Sequence, residues 1–167
     1  MKKYLMLFLL PFLFSCSSSK ERKNTLSGQL VGEWRNVYMK VEMYTYNNTD
    51  SLKTMEVTEA NWEKILNIKT IRTLYKENGS YNSEHKNLQD SIIYNPAGKW
   101  SIVGDTLIMT DTFPKKGLNY KYKLEIKENN GVNKEIIAEF FGVEDFDQDG
   151  KIDDKYYGIQ RKQQSNY

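Results

Sequence analysis

The chain has 167 residues, with 24 lysines and arginines against 22 aspartates and glutamates, one histidine and a formal charge of +2. That length suits one domain with a real core, and interleaved charges of both signs give no field for gathering phosphate backbones, so nucleic acid is excluded as a partner. One histidine and one cysteine leave little for a nucleophilic pair or a zinc site, and no phosphate loop or dinucleotide fingerprint is present, so the expectation is a protein without catalytic residues.

The N-terminus starts with Lys2 and Lys3, runs apolar from Tyr4 to Phe14 and reaches Ser15 just before Cys16, the sole cysteine. A basic start, an apolar middle and a small residue at the cut form the layout of an export signal. About a dozen apolar residues are too few to span roughly 30 Å of hydrocarbon. Leu13-Phe14-Ser15-Cys16 resembles the processing box of bacterial lipoproteins, which implies cleavage before Cys16 and its acylation. Each buried acyl methylene contributes about 0.8 kcal/mol to bilayer attachment. The implied location is the bacterial cell envelope, with the outer membrane expected and either its periplasmic or its surface face open.

Loss of Lys2 and Lys3 leaves the 22 acidic residues facing an equal number of basic ones. With its cysteine in the anchor, the fold has no disulfide. Residues 16–27 are polar and read as a flexible tether, residues 28–163 as the folded domain and residues 164–167 as a polar tail.

Strand patterns begin near Glu33, where Val37, Met39, Val41 and Met43 alternate with polar or aromatic neighbours up to Tyr46. Asn47-Asn48-Thr49-Asp50 reads as a turn, Ser51 to Val57 as a strand or an irregular return, and Thr58 to Leu66 as a short helix capped by Thr58. Residues 68–75 and 80–84 flank Asn78-Gly79 and predict a hairpin. A second hairpin joins residues 98–103 to residues 106–110 through Gly104-Asp105, with Trp100, Ile102, Leu107 and Met109 on its inner face. Tyr120, Tyr122, Leu124 and Ile126 alternate with charged residues in the cleanest period of two in the chain, which covers a core on one side only. Strands over residues 135–141 and 155–162 complete the set.

About eight short strands joined by Asn, Gly and Asp turns predict an all-β, antiparallel sheet curled into a barrel with one short helix, and composition alone leaves a sandwich open. Leu30-Val31-Gly32-Glu33-Trp34, residues 74–81 and residues 98–107 resemble elements of the lipocalin-like domain lipoproteins of Bacteroidota. The resemblance implies that Trp34 and Gly32 close the barrel floor, that Arg161 packs across Trp34, and that the barrel is a cup for a small apolar ligand. Trp100, Tyr120, Tyr122 and Phe140 either line such a cup or pack as core; in the second case the domain is a structural or protein-interaction module, with an envelope protein as partner.

The sharpest local motif is Asp145-Phe146-Asp147-Gln148-Asp149-Gly150-Lys151-Ile152-Asp153. Oxygens of Asp145, Asp147 and Asp149 at loop positions one, three and five, the Lys151 carbonyl at seven and Asp153 at nine can converge on a hard cation, while Gly150 at six permits the turn. The pattern resembles the first nine positions of an EF-hand calcium loop. Position twelve is Tyr156, so the bidentate carboxylate is missing and weak calcium binding is expected. A solvated acidic hairpin tip is the competing reading.

Overall fold

The computed structural model describes residues 25–44, 52–129 and 135–164. The signal segment, Cys16, most of the tether and the turn at residues 47–50 lie outside the described residues. Among the described residues two short helices and ten strands follow in order: α1 (Leu26–Leu30), β1 (Gly32–Tyr44), β2 (Leu52–Thr58), α2 (Trp62–Leu66), β3 (Arg72–Tyr75), β4 (Ser80–Lys86), β5 (Ile92–Tyr94), β6 (Ala97–Val103), β7 (Thr106–Phe113), β8 (Asn119–Asn129), β9 (Glu135–Glu144) and β10 (Asp154–Lys162). Among the described residues no helix is long and apolar enough to cross a membrane.

Eight of the strands close into an antiparallel ring, because β1 pairs with both β3 and β10 while β10, β9, β8, β7, β6, β4 and β3 join in sequence. The two remaining strands extend the wall. β2 runs beside the second half of β1, and β5 beside the end of β4. Closure of this kind leaves the eight ring strands without free edges.

The ring places its connections at two ends. Tyr75 at the end of β3 faces Gly32 at the start of β1, and Lys162 at the end of β10 faces Trp34. The 76–79 and 104–105 turns and α1 therefore gather at one end, the floor. The acidic loop, β5 and the 114–118 turn gather at the other, the mouth. Gly79 and Gly104 both adopt positive φ, 73° and 64°, in the two floor turns, where a side chain would strain the backbone.

The parity of β1 changes along its length. Trp34 and Asn36 point inward at even positions, Val41 at an odd one, and a bulge between Asn36 and Tyr38 makes the switch. The alternation visible from Val37 to Met43 thus holds only beyond the bulge. β2 is a regular strand, and α2 begins at Trp62 with Asn61 in the cap position rather than Thr58. Asn61 Oδ1 accepts the Thr58 amide at 2.6 Å, so the bend of residues 58–61 uses the polar groups that a helix starting at Thr58 would have needed. α1 begins at Leu26, inside the segment read as tether, with Thr25 as its cap. Neither α1 nor β5 was visible in the pattern.

Leu30, Trp34, Tyr75, Tyr81, Trp100, Leu107, Leu124, Ala138 and Phe140 form one buried cluster. Burial of each large apolar side chain contributes about 1.5–3 kcal/mol. Packing is fitted around glycines: a Cβ on Gly142 would lie 2.6 Å from Tyr122 Cδ1, Gly158 leaves similar room for Tyr156, and Gly98 lets the Thr110 carbonyl and the Tyr81 ring approach the backbone.

Candidate functional site

At the floor, Trp34 is fully buried and its indole N–H donates to the Leu30 carbonyl at 2.6 Å, which fastens α1 beneath the barrel. The cation over the indole is Lys162, 5.2 Å from the ring centroid, with its ammonium also donating to Gln29 O at 2.5 Å. Gly32, at φ 133°, provides the space, since a Cβ there would stand 2.8 Å from Lys162 Cε. Arg161 does not pack across Trp34. It faces Arg35 on the neighbouring strand, and both bind Glu59 on the outer surface, with Glu135 also 3.5 Å from Arg161 Nε. The reason is the period of two: Trp34 and Lys162 are register partners and share the inner face, so residue 161 must point outward.

The four side chains considered for a cup touch other rings. Trp100 meets Tyr75 edge-on at 5.9 Å and donates its N–H to Ser80 O. Tyr120 stacks along Tyr122 at 6.4 Å, and Tyr122 meets Phe140 edge-on at 6.1 Å and Tyr156 at 5.6 Å. Such pairs add about 0.5–1.5 kcal/mol each beyond their burial. These ring contacts pack the four side chains against one another and against the buried cluster inside the barrel wall.

In the acidic loop, ligand atoms of Asp145, Asp147 and Asp149 lie within 4.8 Å of one another, close enough for one metal ion. Asp145 accepts the Gly150 amide at 3.1 Å, Asp147 the Asp149 amide at 3.1 Å and Asp149 the Lys151 amide at 2.8 Å. Gln148 and Gly150 adopt positive φ, 61° and 88°, which coils the loop on itself. Buried oxygens on Asp145, Asp149 and Asp153 have no hydrogen-bond partner, although the Asp149 side chain is only 4% exposed. The Lys151 ammonium stands 3.7 Å from Asp149.

Asp154 has another task. Fully buried, it accepts the amides of Phe146 at 2.7 Å, Asp147 at 3.2 Å and Tyr44 at 3.0 Å, clamping the loop to the end of β1. Tyr156, at position twelve, stacks under Phe146 at 5.7 Å and offers no carboxylate.

Sequence reasoning passed over a second acidic group at the mouth. Asp111 on β7 is 2% exposed and accepts the Tyr81 hydroxyl, while Glu144, which ends β9, accepts the Tyr122 hydroxyl. Burial first, then the Asp111 charge, raises the Glu144 carboxyl above the ordinary carboxylate range, against the lowering effect of the Tyr122 bond. His85, the single histidine, lies in β4 against the Tyr94 ring at 5.1 Å, and burial lowers its pKa. The signal available in the sequence was parity alone: Asp111 follows Leu107 and Met109, and Glu144 follows Phe140 and Gly142, on inward positions.

A polar cleft of about 320 Å³ also lies on the outer wall. Its lining sets four basic residues, Arg35, Lys69, Arg72 and Lys86, against three acids, Glu63, Glu84 and Asp90, with Lys69 paired to Glu63 at 3.5 Å and Lys86 to Glu84 at 3.2 Å. No family model matches the chain, and neither does any curated protein.

Proposed function

We propose that this chain is a non-enzymatic scaffold of the bacterial cell envelope: a barrel filled below its mouth, tethered to the bilayer through acylated Cys16, with calcium bound in its acidic loop. The observation that carries the reading is the set of buried carboxylate oxygens on Asp145, Asp149 and Asp153 without hydrogen-bond partners, next to three aspartates already gathered within reach of one ion. Buried carboxylate oxygens without hydrogen bonds are costly, the one on Asp149 being met only by the Lys151 ammonium at 3.7 Å, and a hard divalent cation that takes six to eight oxygens relieves that cost. Without a bidentate acid at position twelve the affinity belongs to the weak range typical of extracellular modules, about 10⁻⁴–10⁻³ M.

In this reading the tether enters at α1, on the floor, so the calcium loop faces away from the bilayer. Ile92, Ile93 and Phe113, all exposed on the segments that gather at the mouth, then offer an apolar surface for an envelope protein. The ring contacts within the barrel favour this scaffold over a carrier of small apolar ligands. A saturable signal from an apolar fluorescent dye would reverse that preference.

The test is calorimetry and thermal melting of the whole chain with calcium. Binding with a midpoint near millimolar and a rise of about 3 °C at tenfold excess are expected, both lost in Asp149→Asn. No heat and no rise at about 10 mM calcium would reject the site. For the anchor, acyl labelling should vanish in Cys16→Ser.

A further inference from the structure

We infer that the cleft on the outer wall binds a hydrophilic monocarboxylate of sugar-acid type, with its carboxylate held between Arg35 and Arg72. The site is separate from the calcium loop and goes beyond the scaffold role.

Three observations converge. The first is a row of arginines. Strand register sets Arg161 of β10 opposite Arg35 of β1, and Arg35 opposite Arg72 of β3. Like charges directly opposite each other destabilise a sheet, and an anion between them removes that cost. Glu59 is that anion for the first two, since Arg35 and Arg161 both bind its carboxylate. Among the described residues no acid bridges Arg35 and Arg72. Arg72 meets only Glu33, at 3.5 Å with both side chains well exposed, and such surface pairs contribute little. Of the Arg35 fork only Nη2 has a hydrogen-bond acceptor among the described residues, while Nε is buried without one. A carboxylate from outside therefore finds N–H donors on two neighbouring guanidinium groups, whose planar forks suit it.

The second is the cavity on which these two arginines open. Its volume of about 320 Å³ lies at the lower end of the roughly 300–1,000 Å³ typical of small-molecule sites. Every lining residue is charged except Thr70, which adds a hydroxyl. The cleft thus offers no surface to a hydrocarbon tail and selects a body that carries hydroxyls. Four bases against three acids leave one positive charge over in the lining, which matches a single carboxylate. A phosphate dianion would bring a second negative charge towards Glu63, Glu84 and Asp90.

The third is order. The Lys69 amide donates to the Lys86 carbonyl at 2.8 Å and the Asn36 amide to the Ile71 carbonyl at 3.0 Å, and Arg72 is the register partner of Glu84. Backbone bonds on both sides of Thr70 therefore fix the cleft wall before a ligand arrives, which lowers the ordering cost of binding.

The experiment titrates the whole chain by calorimetry with gluconate and with glucuronate, in calcium-free buffer so that the acidic loop takes no part. Glucose serves as the neutral match, hexanoate as the apolar carboxylate and inorganic phosphate as the dianion. Saturable binding of at least one sugar acid is expected, with the three comparison compounds at least tenfold weaker. Arg72→Gln and Arg35→Lys should each weaken that binding about tenfold. Melting curves identify any variant that fails to fold, and the exposed Arg72 keeps the test available if Arg35→Lys does not. As a second readout, the Arg35 and Arg72 Nε–H signals in NMR should shift saturably with the sugar acid. Absence of saturation, equal binding of glucose, hexanoate or phosphate, or unchanged affinity in folded Arg72→Gln would each overturn the assignment.

Discussion

At the floor of the barrel Trp34 is fully buried against Leu30 and roofed by Lys162, with its single polar hydrogen bonded to backbone. At the mouth Asp111, Glu144 and Asp154 are withdrawn from water on hydroxyls and amides, and the adjoining acidic loop retains oxygens with no hydrogen-bond partner. One end has satisfied its groups internally, and the other has left valences for something to fill. Stability should therefore reside at the floor and ligand response at the mouth.

The largest expected effect is at Trp34. Trp34→Ala removes a buried indole and should cost about 3–5 kcal/mol in urea unfolding, with calcium affinity unchanged in whatever fraction folds. A smaller effect lies at the waist, where Gly142→Ala drives a methyl into Tyr122 and should cost about 2 kcal/mol. Adding Tyr122→Ala should recover part of that loss, and a double-mutant cycle measures the coupling. If the two changes simply add, the glycine is not serving the tyrosine.

Lys162 and Arg161 sharpen the comparison between inner and outer faces. Lys162→Met should lose about 1 kcal/mol with the cation–π contact and the Gln29 bond. Arg161→Met, which breaks exposed pairs, should lose at most a few tenths of that. Equal costs would contradict the assignment of Lys162 as the indole's partner.

The smallest effect is one of pH. Because the folded Glu144 pKa is raised, its contribution to stability is full below the unfolded carboxylate pKa and is lost as pH rises through the folded value. His85 acts oppositely: its pKa is lowered by burial, so its contribution is present above the unfolded histidine pKa and is lost as pH falls towards the folded one. Glu144→Gln should delete only the first slope, so that wild type minus variant shows stability decreasing with pH across the mildly acidic range. A difference that increases with pH would contradict the burial of this carboxyl.

The sequence carried the wall of the barrel well, because half-exposed strands with Asn-Gly and Gly-Asp turns announce themselves through a period of two. Trp100, Leu107, Leu124 and Phe140 were readable as inward for that reason, and the clustering of Asp145, Asp147 and Asp149 through loop spacing. What escaped depends on long-range register. The bulge in β1 reverses parity without any local sign, the choice of Lys162 over Arg161 turns on one residue of alignment with β1, and the bonds of Asp111 to Tyr81 and of Glu144 to Tyr122 join strands far apart in sequence. β5, three residues long, is too short to leave a period, and α1 exists because Trp34 holds its last carbonyl.

The most direct test of the central claim, that a prebuilt and filled barrel carries a separate cation-taking loop, is a calcium titration of the whole chain followed by backbone amide NMR. The account predicts saturable shifts at Phe146, Gly150, Lys151 and, through the Asp154 clamp, Tyr44, while the Trp34 indole N–H stays in place. No saturable shift at Gly150, or a Trp34 resonance that moves as far as the loop does, would contradict it.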